Sequence, residues 1–181
     1  LGVVPRVVAN GLSVYRGKLT LEEVHTRIAN FWRPYHDTLQ TLVDQSHAQF
    51  GEAILIDCHS MPHVAMENIS PPVGRPDVVL GDRFGAAASA AIVEQIEAIF
   101  AAHGFRVARN MPFAGAFIAQ QYGRPSRRQH AVQVEIDRAL YMDETTLELT
   151  AGYDSLRATL RGVMAEIADI GRATGASVAA E

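Results

Sequence analysis

Ala53-Ile-Leu-Ile-Asp-Cys58, followed at once by His59-Ser60, is the stretch on which the fold turns. It is a compact apolar run bounded by Gly51 on one side and polar residues on the other. Such a run suits a strand buried on both faces, as in a parallel sheet. Three more short apolar stretches of this kind lie downstream, at Asp77–Leu80, Phe105–Ala108 and Ala131–Ile136. Helical patterns stand between and after them. Ala86–Ala102 carries Ile92, Ile96 and Ile99 on one stripe and stops at His103-Gly104, and Ala151–Arg172 turns Leu156, Leu160, Val163 and Ile167 inward. Strand alternating with helix predicts an α/β fold with a mostly parallel sheet.

Upstream of this run the pattern is weaker. Val3–Val8 and Leu12–Tyr15 have strand character, and Thr20 has the features of a helix N-cap, with Glu22 and Glu23 in the first turn. The helical pattern continues through Val24, Ile28, Phe31 and Trp32, and Pro34 is expected to kink or divide it. From Met61 to Pro76, prolines, a glycine and little periodicity predict a long loop, and long loops in compact domains more often carry function than not. Asn110–Gly115 is a second loop. A third, rich in arginine (Arg124, Arg127, Arg128), leads into Ala131–Ile136.

Length and composition fit one domain over residues 1–181, with 48% hydrophobic and 20% charged residues. A net charge of -4 leaves no basic footprint for nucleic acid. No apolar run approaches the roughly 18 residues of a membrane helix. The single cysteine, Cys58, excludes an intramolecular disulfide and points to a reducing, cytoplasmic compartment. Beside His59 it invites a cysteine-hydrolase reading, although a Cys ending an apolar strand more often acts as a small hydrophobe. The chain opens on Leu1 and runs straight into an apolar element, so further residues are expected upstream.

His59 and Glu135 stand out as chemistry-bearing residues. A polar residue at the carboxyl end of a buried parallel strand is where α/β folds place ligands. His59 therefore reads as a metal ligand, with Asp57 as a carboxylate able to orient it, or else as a capping or core histidine. In Val132-Gln-Val-Glu-Ile-Asp137, alternation puts Gln133, Glu135 and Asp137 on one face. That face either meets a site or belongs to an edge strand bathed in water. His25, His47 and His103 read as surface residues; His36, His63 and His130 fit structural or site roles.

Taken together these segments resemble the N-formylglutamate amidohydrolase family. The matching stretches run in order: Leu1-Gly-Val-Val-Pro-Arg6, Arg33-Pro-Tyr-His36, Leu55-Ile-Asp-Cys-His-Ser-Met-Pro62, Arg75-Pro-Asp-Val-Val-Leu-Gly-Asp-Arg-Phe-Gly85, Asn110-Met-Pro-Phe-Ala-Gly115 and Val132-Gln-Val-Glu-Ile-Asp-Arg-Ala-Leu-Tyr-Met-Asp-Glu144. Phe113 and Ala116 depart from the Tyr and second Gly usual in the family. The family in turn resembles the zinc carboxypeptidases, which implies a three-layer α/β/α fold with a mostly parallel mixed sheet. Carried over, the resemblance makes His59 a zinc ligand and Glu135 the general base. Asn110, Gln133 and Arg138 are candidates for substrate binding. It implies one zinc ion, whose remaining ligands are expected upstream of Leu1.

The activity implied is zinc-dependent hydrolysis of N-formyl-L-glutamate to formate and L-glutamate, the last step of a histidine-degradation route. The implied partner is a small anionic N-acyl amino acid, with arginine forks for its carboxylates. Arg6, Arg83, Arg124, Arg127, Arg128 and Arg138 are available for that role. Two rival readings are a zinc hydrolase of another N-acyl amino acid or peptide, and a truncated domain that binds a ligand without turnover.

Overall fold

The computed structural model describes residues 4–8, 11–66 and 74–178, with side chains to residue 171. The chain divides into two compact units, Leu1–Leu42 and Val43–Glu181.

In the first unit, α1 (Leu21–Arg27) begins as its sequence predicts. The Thr20 hydroxyl accepts the Glu23 N–H, and the Glu23 carboxylate accepts the Thr20 N–H at 2.8 Å, a complete capping box. The stretches with strand character form no strand there. Among the described residues there, Val7 and Ser13 form an isolated antiparallel bridge, and Val7, Val8, Leu12 and Val14 stay exposed. Val3 lies outside the described residues. Pro34 does not break the helix. α1 passes through a π turn, Ile28–Trp32, into α2 (Arg33–Phe50). Proline lacks an N–H and crowds the carbonyl four residues back, here Asn30 inside the π turn, so the widened turn relieves the conflict.

The second unit is built on a four-stranded mixed sheet in the order β1-β4-β2-β3. Its strands are β1 (Ala53–Met61), β2 (Val78–Gly81), β3 (Val107–Arg109) and β4 (Gln129–Asp137). β1 runs parallel to β4 and β2 parallel to β3, while β2 and β4 are antiparallel. The helices are α3 (Ala90–Ala102), α4 (Phe117–Tyr122) and α5 (Tyr153–Val178).

On one face of the sheet, Val132, Val134, Val78 and Leu80 pack against Ile92, Val93, Ile96 and Phe100 of α3 and Val163, Ile167 and Ile170 of α5. Burying such side chains stabilises by about 1.5–3 kcal/mol each, so this layer holds the sheet flat against its helices. Leu156, expected in that stripe, is only half-buried. The other face carries a smaller cluster of Met61, Met66 and Val79 with Phe113, and α4 lies against β4.

Boundaries moved where tertiary partners decided them. β1 continues past Cys58 because His59, Ser60 and Met61 keep pairing with Glu135, Ile136 and Asp137. α3 starts at Ala90 rather than Ala86, since Arg83, Phe84 and Gly85 turn through positive φ just before it. The loop expected over 61–76 contains a short 3-10 turn, His63–Met66, and its residues 67–73 lie outside the described ones. α4 has no clear sequence signal and was not expected.

Candidate active site

The site follows from strand register. β1 and β4 place Asp57 beside Gln133 and His59 beside Glu135, so all four side chains share one face. β4 is an interior strand, between β1 and β2, which removes the solvated-edge reading of its polar face. Gln133, Glu135 and Asp137 are correspondingly buried. Three polar side chains in such a place need partners.

They have them. Gln133 donates its amide to Glu135 Oε1 at 2.8 Å and accepts the Ala116 N–H at 2.7 Å. Burial pushes the Glu135 carboxyl above its ordinary value; His59, the Gln133 amide and Arg138 pull it down, and Asp57 pushes it up. A buried carboxyl beside an imidazole is the environment in which a general acid–base group is tuned.

His59 is 42% exposed at its side chain, so it faces the open side of the site. Its Nε2 lies 3.0 Å from Asp57 Oδ2, yet that buried oxygen has no hydrogen-bond partner, so the contact is one of proximity and not of alignment. A carboxylate oxygen left unbonded next to an imidazole nitrogen is a donor pair suited to a divalent cation. Among the described residues no three His, Cys, Asp or Glu side chains gather as a ligand set. The residues present thus fit part of a zinc site.

Asn110 and Arg138 sit differently from Gln133. Asn110, in the left-handed region at φ 61°, accepts the Asp82 and Phe84 N–H groups and donates to Asp82 Oδ1 at 2.6 Å. It staples the 81–85 turn to the start of the 110–116 loop. Arg138 lies at the carboxyl end of β4 and donates to Ser60 Oγ (3.1 Å) and Ser60 O (3.2 Å). Gly81 lets the 110–116 loop close over this face: a Cβ there would meet Gly115 N at 2.5 Å.

Arg124, Arg127 and Arg128 precede Gln129, at the amino end of β4. Six residues of strand, about 20 Å, separate Gln129 from Glu135. Arg124 bonds Gln120 O and Gly123 O, and Arg128 is 3.8 Å from Glu52. His130 is likewise structural there, accepting the Ser89 N–H and contacting Glu52 at 3.1 Å. Arg83 reaches Gly115 O at 3.4 Å, and Arg6 belongs to the first unit. Cys58 points away from the His59 face by alternation, and burial with Asp57 nearby pushes its thiol up, which disfavours a nucleophile.

One contact set was not foreseen. His63 donates Nδ1–H to buried Asp137 at 2.6 Å, and its Nε2 accepts from Arg75. Arginine only donates, which assigns the proton to Nδ1. Asp137 was visible as the third member of the polar alternation, but its partner sits two residues past the end of β1. A cavity of about 550 Å³ touches His59 and Ser60 but is lined by Ile136, Tyr141 and α5, and so lies on the side of the sheet away from Glu135.

Polar and ionisable side chains gathered at the carboxyl ends of adjacent strands make this an α/β protein with its candidate site at the strand ends. The sequence model for N-formylglutamate amidohydrolase matches residues 1–142, and the chain belongs to that family. It is 34% identical over 150 residues to the N-formylglutamate deformylase of Pseudomonas aeruginosa, and 33% identical over 151 to that of Pseudomonas putida. These alignments cover 79% and 80% of the chain and 54% of each relative. The crystal structure of N-formylglutamate amidohydrolase from Ralstonia eutropha superposes with a TM-score of 0.81 at 34% identity, covering 93% of this chain and 60% of that one. The chain therefore spans little more than half the length of its relatives. Among its described residues no helix is long and apolar enough to cross a membrane.

Proposed function

We propose that the protein carrying this chain hydrolyses N-formyl-L-glutamate to formate and L-glutamate with the help of one zinc ion. The observation that carries this reading is the register pair His59–Glu135, with the Glu135 carboxyl buried and tuned above its ordinary range. The relatives named for this activity support the substrate.

In this reading His59, with Asp57 beside it, holds the zinc, and the further ligands a catalytic zinc requires come from residues other than the described ones. The bound ion supplies Lewis acidity at the formyl oxygen and readies a water at neutral pH. Glu135 accepts the proton of the attacking water and delivers it to the departing amine nitrogen. Gln133 holds the Glu135 carboxyl in place and, with the 110–116 loop, keeps bulk water from it. Histidine breakdown is the corresponding metabolic setting, and the cytoplasm its compartment.

Formate release from N-formylglutamate tests this, comparing wild type with His59→Ala and Glu135→Gln in the full-length protein with added zinc. Each variant should lose about 10²-fold or more. Equal turnover in all three would sink the mechanism. Turnover of N-acetyl amino acids or peptides in place of the formyl compound would favour the broader hydrolase reading. A second reading is a ligand-binding domain without turnover; N-formylglutamate binding with no formate released would establish it.

A further inference from the structure

The backbone ladder joining β1 to β4 ends at Met61–Asp137. Beyond it the two chains stay together through side chains. Arg138 uses Nε on Ser60 Oγ and Nη2 on Ser60 O, and its Nη1 lies 3.5 Å from Glu144 Oε1. Glu144 Oε2 accepts the His63 N–H at 2.8 Å, and Asp137 accepts from the His63 ring and from the Ala139 N–H. Ser60 and His63 come from the β1 side; Asp137, Arg138 and Glu144 come from the β4 side. The contacts form a closed ring around the strand ends.

The end of a strand ladder opens more easily than its middle. His59 sits two residues from that end. We infer that Arg138 is a positioning residue: by gripping Ser60 on two atoms while Glu144 braces it, it fixes His59 of β1 against Glu135 of β4. The inference rests on the reading of His59 and Glu135 given above. It gives Arg138 a role in the framework, through contacts from each of its three guanidinium nitrogens. Arginine suits the role and lysine does not. A planar fork meets a hydroxyl, a carbonyl and a carboxylate at fixed angles, whereas an ammonium group is a single point of attachment.

The test uses the full-length protein with Arg138→Lys, Ser60→Ala and Glu144→Gln. Amide exchange at His59 and Ser60, which needs neither zinc nor turnover, should quicken in Arg138→Lys and less in the other two. Zinc affinity by chelator competition should fall by about 10- to 100-fold in Arg138→Lys, the usual effect of losing a group that orients a ligand. kcat for N-formylglutamate should fall with KM near the wild-type value, because a positioning defect acts in the transition state. Unchanged exchange in Arg138→Lys overturns the inference, as does a raised KM with kcat and zinc affinity kept. Ser60→Ala is mild enough to fold and repeats the exchange measurement if Arg138→Lys does not. A wild-type protein that releases no formate defeats the catalytic reading alone, and exchange then still decides the role of Arg138.

Discussion

Gln133 donates its side-chain amide to Glu135 at 2.8 Å, and the two are neighbours on one face of β4. Its carbonyl holds the Ala116 N–H, so one side chain links the buried acid to the loop over it.

Gln133→Met keeps the volume and removes both bonds. The Ala116 N–H and a Glu135 oxygen lose their partners, and leaving a buried polar group unsatisfied costs about 1–3 kcal/mol. The urea midpoint should fall accordingly with m unchanged.

Glu135→Gln should be more stable than wild type at neutral pH in metal-free protein. A carboxyl whose folded pKa is raised binds its proton more tightly when folded. Stability is then greatest below the unfolded pKa and falls as pH rises toward the folded value. A neutral amide escapes this loss and still offers an acceptor to Gln133. The gain appears as a higher Tm. The advantage over wild type should vanish at pH 3, and an equal advantage there would contradict the argument.

Asp77→Asn tests the opposite sign. Burial raises the Asp77 carboxyl, but bonds from the Arg106 side chain and N–H and its charge outweigh this and hold it below the ordinary carboxylate range. Its contribution is present above the unfolded pKa and lost as pH falls through the folded one. Arg106 is half-exposed, so solvent screening limits the loss in the variant to about 1–2 kcal/mol at pH 7. Chemical denaturation at pH 7 and pH 2.5 should show the deficit only at the former.

Gly81→Ala drives a methyl into the backbone of the 110–116 loop, whose Gly115 N, Ala114 C and Phe113 O all stand within 3.0 Å of it. Backbone cannot swing aside as a flexible side chain does, so a cost of about 1–3 kcal/mol is expected. Faster amide exchange at Phe113–Ala116, with β1 still protected, would locate the damage in the loop.

Much of the sheet was legible from composition and period alone. Short apolar runs marked β1, β2 and β4, and alternation in Val132–Asp137 assigned Gln133, Glu135 and Asp137 to one face, because successive strand side chains point opposite ways whatever surrounds them. His59 was read just past the end of its strand, but pairing through Met61 puts it inside β1, two residues from the end. The capping box of α1 is local and was readable too.

Register between strands is not local, and only the tertiary structure decided it. Nothing in the sequence says that His59 lies opposite Glu135 rather than one residue away, where alternation would have sent it to the other face. Nor does it say that β4 is interior, that three arginines sit at the far end of that strand, or that Arg138 reaches Ser60. Those facts depend on residues far apart in the chain meeting in space. The sequence by itself determined which polar side chains share a strand face; the sheet decided which of them face one another.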